Sequence, residues 1–205
     1  MSFVRTYRRL AKVLYQQATQ EQVIEYAKHH GISLSVSSFG LAFRSTARAT
    51  KNADLILGYC EGFFRPTGSI VQIEKLIVWK DGLLKAKQLD PSSFQAHAGN
   101  TFGISLLVGY MALLHACNQS RHFDKVEFLA IDDEPHQHKR LVRFFQRAGF
   151  SVIRYVGDDW KDIPDRVIWG GCGTLMDCDI KRTLTKWTDL LFTNKTLPIT
   201  DTLQS

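Results

Sequence analysis

The sequence predicts a mixed α/β domain with a twisted, mostly antiparallel sheet flanked by helices, and three observations carry that reading. Four β-type runs follow one another between residues 32 and 79; a glycine-bearing loop then opens the long apolar helical run Ile104 to Cys117; and strand and helix patterns follow in turn after it. The 205 residues suit one domain over 1–195 with a tail at 196–205, and a chain of that size can bury a core without a disulfide or metal.

Taken in order, residues 3–17 place Phe3, Val4, Tyr7, Leu10, Ala11 and Leu14 on one helical face and Arg5, Arg8, Arg9 and Lys12 largely on the other, with no acidic residue before Glu21. That pattern fits a first helix packed on the domain, an organellar transit peptide, or a helix lying on an anionic membrane. Thr19 with Gln22 three residues on is a capping-box pattern, starting a second helix that ends near Gly31 and completes a helical pair over 3–30. Short β-type runs at Ile32–Val36 and Leu41–Ala47 precede longer ones at Ala53–Phe64 and Ser69–Trp79, an antiparallel meander. The last of these is apolar enough to be covered on both faces, as a central strand is. Lys80-Asp81-Gly82 reads as a turn, and the insertion 80–97 reads as a loop with at most one short strand, a candidate lid or partner contact.

Beyond the apolar helix, Lys125–Ile131 reads as a strand, Pro135–Ala148 as a helix ended by Gly149, Ser151–Gly157 and Arg166–Gly171 as strands, and Asp179–Leu191 as a final helix with Leu184, Trp187, Leu190 and Leu191 as its buried stripe. No apolar run reaches the ~18 residues of a bilayer span, and no apolar signal core stands near the N-terminus. Cys60, Cys117, Cys172 and Cys178 are spaced too irregularly for a zinc ribbon or a redox pair, so reduced thiols and a cytoplasmic location are expected, with organellar targeting by the basic N-terminal helix as the alternative. A net charge of +6 suits an acidic partner, but the chain shows no RNP pattern, helix-turn-helix or zinc finger that would make it nucleic acid.

The segment with most chemistry in it is the strand Ile73-Glu74-Lys75-Leu76-Ile77-Val78 followed by Ala98-Gly99-Asn100-Thr101-Phe102-Gly103 at a helix start. Helix starts offer unpaired N–H groups and a partial positive charge, and glycine admits a phosphate close to the backbone. With Leu106-Leu107 in the helix and Phe144-Phe145-Gln146-Arg147-Ala148-Gly149-Phe150 closing the next one, this order resembles the GNAT superfamily of acyl-CoA-dependent N-acyltransferases over roughly residues 54–177. Three positions depart from that family's pattern: Ala98 stands where its loop has arginine, Thr101 where it has a middle glycine, and Phe145 where a tyrosine commonly acts as general acid.

The resemblance implies that the strand Glu74–Val78 and the strand Val126–Ile131 splay apart. Leu76, Ile77 and Val78 would then take the pantetheine arm of acetyl-CoA or another acyl-CoA, and the amides of Gly99, Asn100, Thr101, Phe102 and Gly103 its pyrophosphate. It also implies Glu74 as a possible base for direct attack by an amine acceptor, with Tyr110 or a water as substitute acid. The alternative for Glu74 is a solvent-facing residue paired with a lysine, and for the protein a non-catalytic module that docks on a protein or membrane partner. Asp132-Asp133-Glu134-Pro135-His136-Gln137-His138 concentrates possible metal ligands, yet residues two apart on a helix are turned by about 200°, so the two histidines diverge. The cluster reads as a helix start, with no metal site. Cys172 reads as a residue among glycines that permit close backbone packing, with a nucleophilic thiol as the alternative.

Overall fold

A computed structural model of the chain describes residues 17–95, 100–133 and 135–192. The expected helix at 3–17, the tail at 196–205, and Ala98, Gly99 and Glu134 lie outside the described residues.

Helix α1 (Gln20–His29) begins with the expected capping box: the Thr19 N–H donates to Gln22 Oε1 at 2.9 Å and the Gln22 N–H to Thr19 Oγ1 at 3.3 Å. Strands β1 (Ile32–Phe39), β2 (Ala42–Ala49), β3 (Asn52–Phe64) and β4 (Ile70–Val78) then form the antiparallel meander. The sheet continues through β5 (Lys125–Ile131), β7 (Gly173–Asp179) and β6 (Ser151–Val156) in the order β1-β2-β3-β4-β5-β7-β6. Only the β4–β5 pair is parallel, because α2 (Lys80–Leu89) and α3 (Thr101–Cys117) carry the chain back across the sheet before β5 begins.

Helix α3 is buried nearly all round, from Gly103 to Ala116, which its unbroken apolar composition dictates. It packs on β1 to β4 and against α1 and α6 (Ile180–Phe192). Phe43, Cys60, Phe64 and Val71 are buried on the covered face of the sheet. The other face carries polar ladders: Arg44, Glu61 and Lys75 stand in register on β2, β3 and β4, with Glu61 paired to Arg44 and, at 3.8 Å, to Lys75. Helix α4 (Pro135–Ala148) lies against β5 and β6. Among the described residues no helix is long and apolar enough to cross a membrane.

Two sequence expectations are corrected. Lys80–Leu89 is a helix and not a loop; Leu83 and Ala86, three apart, are buried, and Ser93–Gln95 adds a 3-10 turn. Gly82, read as a turn residue, is instead a close-packing residue, since a Cβ there would meet Ile56 O at 2.9 Å. Second, the strand expected at Arg166–Gly171 is helix α5 (Ile163–Trp169), and the strand lies further on, at Gly173–Asp179. Pro164 in the first turn and Gly170 in left-handed conformation (φ 77°) at the C-cap mark α5. Its run Val167-Ile168-Trp169 resembles a strand in type only, since Val167 is 79% exposed.

Candidate functional site

The site starts from one irregularity in β4. Pairing with β3 steps from Glu61↔Lys75 to Gly62↔Ile73, so Glu74 is an extra residue without a partner across the ladder. A bulge of this kind bends its strand and sharpens the local twist. Gly62 permits it, for a Cβ there would stand 2.0 Å from the Gln72 carbonyl oxygen.

On its other edge β4 pairs with β5 only from Ile70↔Lys125 to Ile73↔Phe128. Beyond that point the two strands no longer pair, although β4 runs on to Val78 and β5 to Ile131. β5 stays paired to β7 along its whole length, so the parting is a departure of β4. The bulge stands at the first residue after the last β4–β5 pair. A cavity of about 490 Å³ lies at the parting, bordered by Ile73 to Ile77 of β4, Phe128, Leu129 and Ile131 of β5, one face of α3 and the inner face of α4.

The first turn of α3 reaches this cavity through Phe102 and Ser105. Asn100 caps the helix: its Oδ1 accepts from the Gly103 N–H at 2.7 Å, and its carbonyl accepts from the Ile104 N–H at 3.0 Å. The Gly103 amide is therefore already engaged, and Thr101 and Phe102 supply the N–H groups that precede the first intrahelical bonds. Of the residues nominated from sequence, Glu74, Leu76, Ile77 and Phe102 line the cavity, whereas Val78, Asn100, Thr101 and Gly103 do not. Gly99 lies outside the described residues.

Glu74 is exposed and is the end of a polar chain that the sequence reading missed. Its Oε1 accepts from Gln72 Nε2 at 3.3 Å, and Gln72 Oε1 accepts from Arg65 Nε at 3.0 Å. The Arg65 Nη2 lies 3.0 Å from Glu127 Oε2 on β5, and its guanidinium stacks 5.5 Å from the Trp169 ring centre. Gln72 is fully buried, and its two bonds satisfy it. The signal for it was a lone amide inside the apolar run Ile70-Val71-Gln72-Ile73. Since Gln72 and Glu127 stand in register across the parallel pair, this chain ties Glu74 to both strands just before they separate.

The one side chain expected as a substitute acid, Tyr110, is not placed at the cavity, and Phe145, at the usual acid position, is. Tyr110 is fully buried; its hydroxyl lies 2.6 Å from Thr188 Oγ1 and accepts from the Ala18 N–H at 3.1 Å, and burial raises its pKa. It does not line the cavity. Phe145 does, packed at 4.1 Å ring separation on Phe128 and edge-on to Phe144 and Phe150. The position that carries a proton donor in the resembled family is here part of an aromatic wall.

The remaining clusters have structural roles. His138 is buried between Ile131 O, at 3.2 Å from Nδ1, and Thr174 Oγ1, at 3.0 Å from Nε2, bridging the ends of β5 and β7. Asp132 accepts from the Tyr155 hydroxyl at 2.9 Å. Among the described residues no group of three or more His, Cys, Asp or Glu side chains is placed to hold a metal ion. The Cys172 thiol donates to Asp158 Oδ1 at 3.1 Å, a bond that holds the proton on sulfur and raises the thiol pKa, contrary to what a nucleophile needs. Close backbone packing beside it falls on Gly173, where a Cβ would meet Ala130 O at 2.2 Å.

Meander, parting of the central strands and a capped helix opening on the gap together define a mixed α/β fold with a mostly antiparallel sheet flanked by helices, the architecture expected from the sequence. No protein-family model matches the chain, and no curated protein matches it in sequence. Solved structures similar to it include a nourseothricin acetyltransferase, at 8% identity and a TM-score of 0.42 over 73% of this chain and 85% of that one. Another is the aminoglycoside 6'-N-acetyltransferase of Enterococcus faecium, at 9% identity and a TM-score of 0.39 over 67% of this chain and 73% of that one.

Proposed function

We propose that this protein binds an acyl-CoA and transfers its acyl group to an amine by direct attack. The observation that carries the reading is the parting of β4 from β5 after Ile73, with a cavity at the gap. The edge of β4 from Glu74 to Val78 loses β5 as a partner, and an amide-bearing arm can add to such an edge as a strand does. Thr101 and Phe102 open α3 beside the same cavity, where N–H groups and the helix dipole favour phosphate.

In the reaction the amine nitrogen attacks the thioester carbonyl carbon; the C–N bond forms, the C–S bond breaks, and the electron pair leaves with sulfur. Glu74 takes the proton shed by the amine, directly or through a water, held in place by Gln72. A thiol is a far stronger acid than an alcohol, that of cysteine having a pKa of about 8.5, so a thiolate leaves with less help than an alkoxide needs, and a chain with Phe145 at the acid position remains a competent catalyst.

Calorimetric titration with coenzyme A tests the binding, and no heat at millimolar ligand removes the proposal. Glu74→Gln tests the chemistry: acyl transfer to a panel of amines should fall by about 10²- to 10⁴-fold while coenzyme A still binds. The aromatic environment of Phe145 and the structural engagement of Tyr110 favour one second reading, a non-catalytic module that docks on a protein or membrane partner, with α2 and its exposed Lys85 and Lys87 as the contact. Binding without turnover in the parent protein and in the Glu74→Gln variant alike would establish it.

A further inference from the structure

The cavity at the parting has two regions of different chemistry. Its charged and hydroxyl lining, Glu74, Lys75, Ser105 and Asp133, is exposed or half-exposed, which places it at the mouth. Its inner wall is Leu106, Gly109, Leu113, Phe128, Phe145 and Trp187, all buried. The buried lining offers no strong side-chain hydrogen bond to a ligand, because the Trp187 indole N–H donates to Ala148 O at 2.8 Å and the Cys60 thiol, also buried in the lining, is only a weak donor. Gly109 lets the indole close the inner end, for a Cβ there would meet the ring at 3.1 Å.

A pantetheine arm contains two amides, and burying them against such a wall would leave them without partners. Hydrocarbon incurs no such penalty and gains from burial. The cavity, about 490 Å³ in all, runs from the β4 edge that the amide-bearing arm would follow to the inner wall at Trp187, so an acetyl group held at that edge would leave the apolar inner end unfilled. Resting on the acyl-CoA reading above, we infer that the acyl group is a medium or long aliphatic chain, seated between α3 and α4 with its end against Trp187, while the amide-bearing arm stays at the β4 edge.

The test is calorimetric titration of the whole protein with coenzyme A, acetyl-CoA, octanoyl-CoA and dodecanoyl-CoA below their micellar concentrations. The expected result is affinity rising with chain length, by at most about fourfold per added methylene and at least tenfold from acetyl to dodecanoyl. Coenzyme A binding with no gain from acetyl to dodecanoyl overturns the inference and leaves the acyl-CoA reading standing. No binding by any of the four overturns both. The variant Leu106→Phe, which adds volume to the inner wall, should shift the preferred chain to a shorter one; an unchanged chain-length profile in a variant that melts like the parent counts against the inference. The parent series decides the matter even if that variant fails to fold.

Discussion

Gly62→Ala is the sharpest probe of how the cleft is made. The added methyl would stand 2.0 Å from Gln72 O, 2.9 Å from the Gln72 carbonyl carbon and 3.0 Å from Ile73 Cα, where ordinary contact begins near 3.4 Å. All three are backbone atoms, and Gln72 and Ile73 are held from the other side by β5. The β3–β4 pair must therefore open by about 1.4 Å, the shortfall from ordinary contact, which takes a ladder hydrogen bond beyond its useful range. Losing two such bonds at about 1 kcal/mol each, with overpacking strain of about 1–3 kcal/mol, gives a cost of about 3–5 kcal/mol. For a chain of this size that lowers the melting temperature by roughly 6–20 °C. Thermal and urea denaturation followed by circular dichroism measure it. Gly171→Ala is the control: a Cβ there meets nothing within 4 Å and the backbone is not left-handed, so the change should stay within about 0.5 kcal/mol. If Gly62→Ala melts with Gly171→Ala, the account of the bulge as a consequence of close strand approach is wrong.

Two further expectations concern groups outside the cleft. Tyr110→Phe should cost about 1–2 kcal/mol of stability through loss of the buried hydroxyl's bonds to Thr188 and the Ala18 amide, and should leave kcat of the proposed acyl transfer unaltered; a large fall in kcat without a change in stability would restore Tyr110 as an acid. Asp162 accepts from the Gly157 N–H at 3.0 Å and pairs with Arg154 at 2.8 Å, and the backbone bond first, then the ion pair, lowers its pKa. A depressed carboxyl stabilises the fold above its unfolded pKa of about 3.9, and that stability is lost as pH falls through the folded value. The gap in urea midpoint between the parent and Asp162→Asn should therefore hold steady above about pH 5 and narrow below about pH 4. A gap that stays constant down to pH 3 contradicts the assignment.

What the sequence determined by itself is what local chemistry decides. Thr19 and Gln22 start α1 because a capping box satisfies its own first amides, and Ile104 to Cys117 is an enclosed helix because no face of it is polar. The meander was legible for the same reason, its strands being bounded by turn residues. Short elements were not: Lys80–Leu89 buries only Gly82, Leu83 and Ala86, and Val167-Ile168-Trp169 has strand-type residues in a helix whose ends are set by Pro164 and Gly170.

In the candidate site, Glu74, Leu76, Ile77 and Phe102 were found by their place in a motif, and the structure brings them to one cavity. Only tertiary structure decided the rest. Whether β4 keeps or leaves β5 depends on Gly62, on a neighbouring strand, meeting the bulge at Glu74. Gln72 holds Glu74 because Arg65 and Glu127 arrive from β3's end and from β5. Phe145 is a wall residue because Phe128 and Phe150 close on it from other elements. Propensity and capping act between residues a few positions apart and so can be read along the chain, whereas register, close approach and the shape of a cavity are set by residues that meet only after folding.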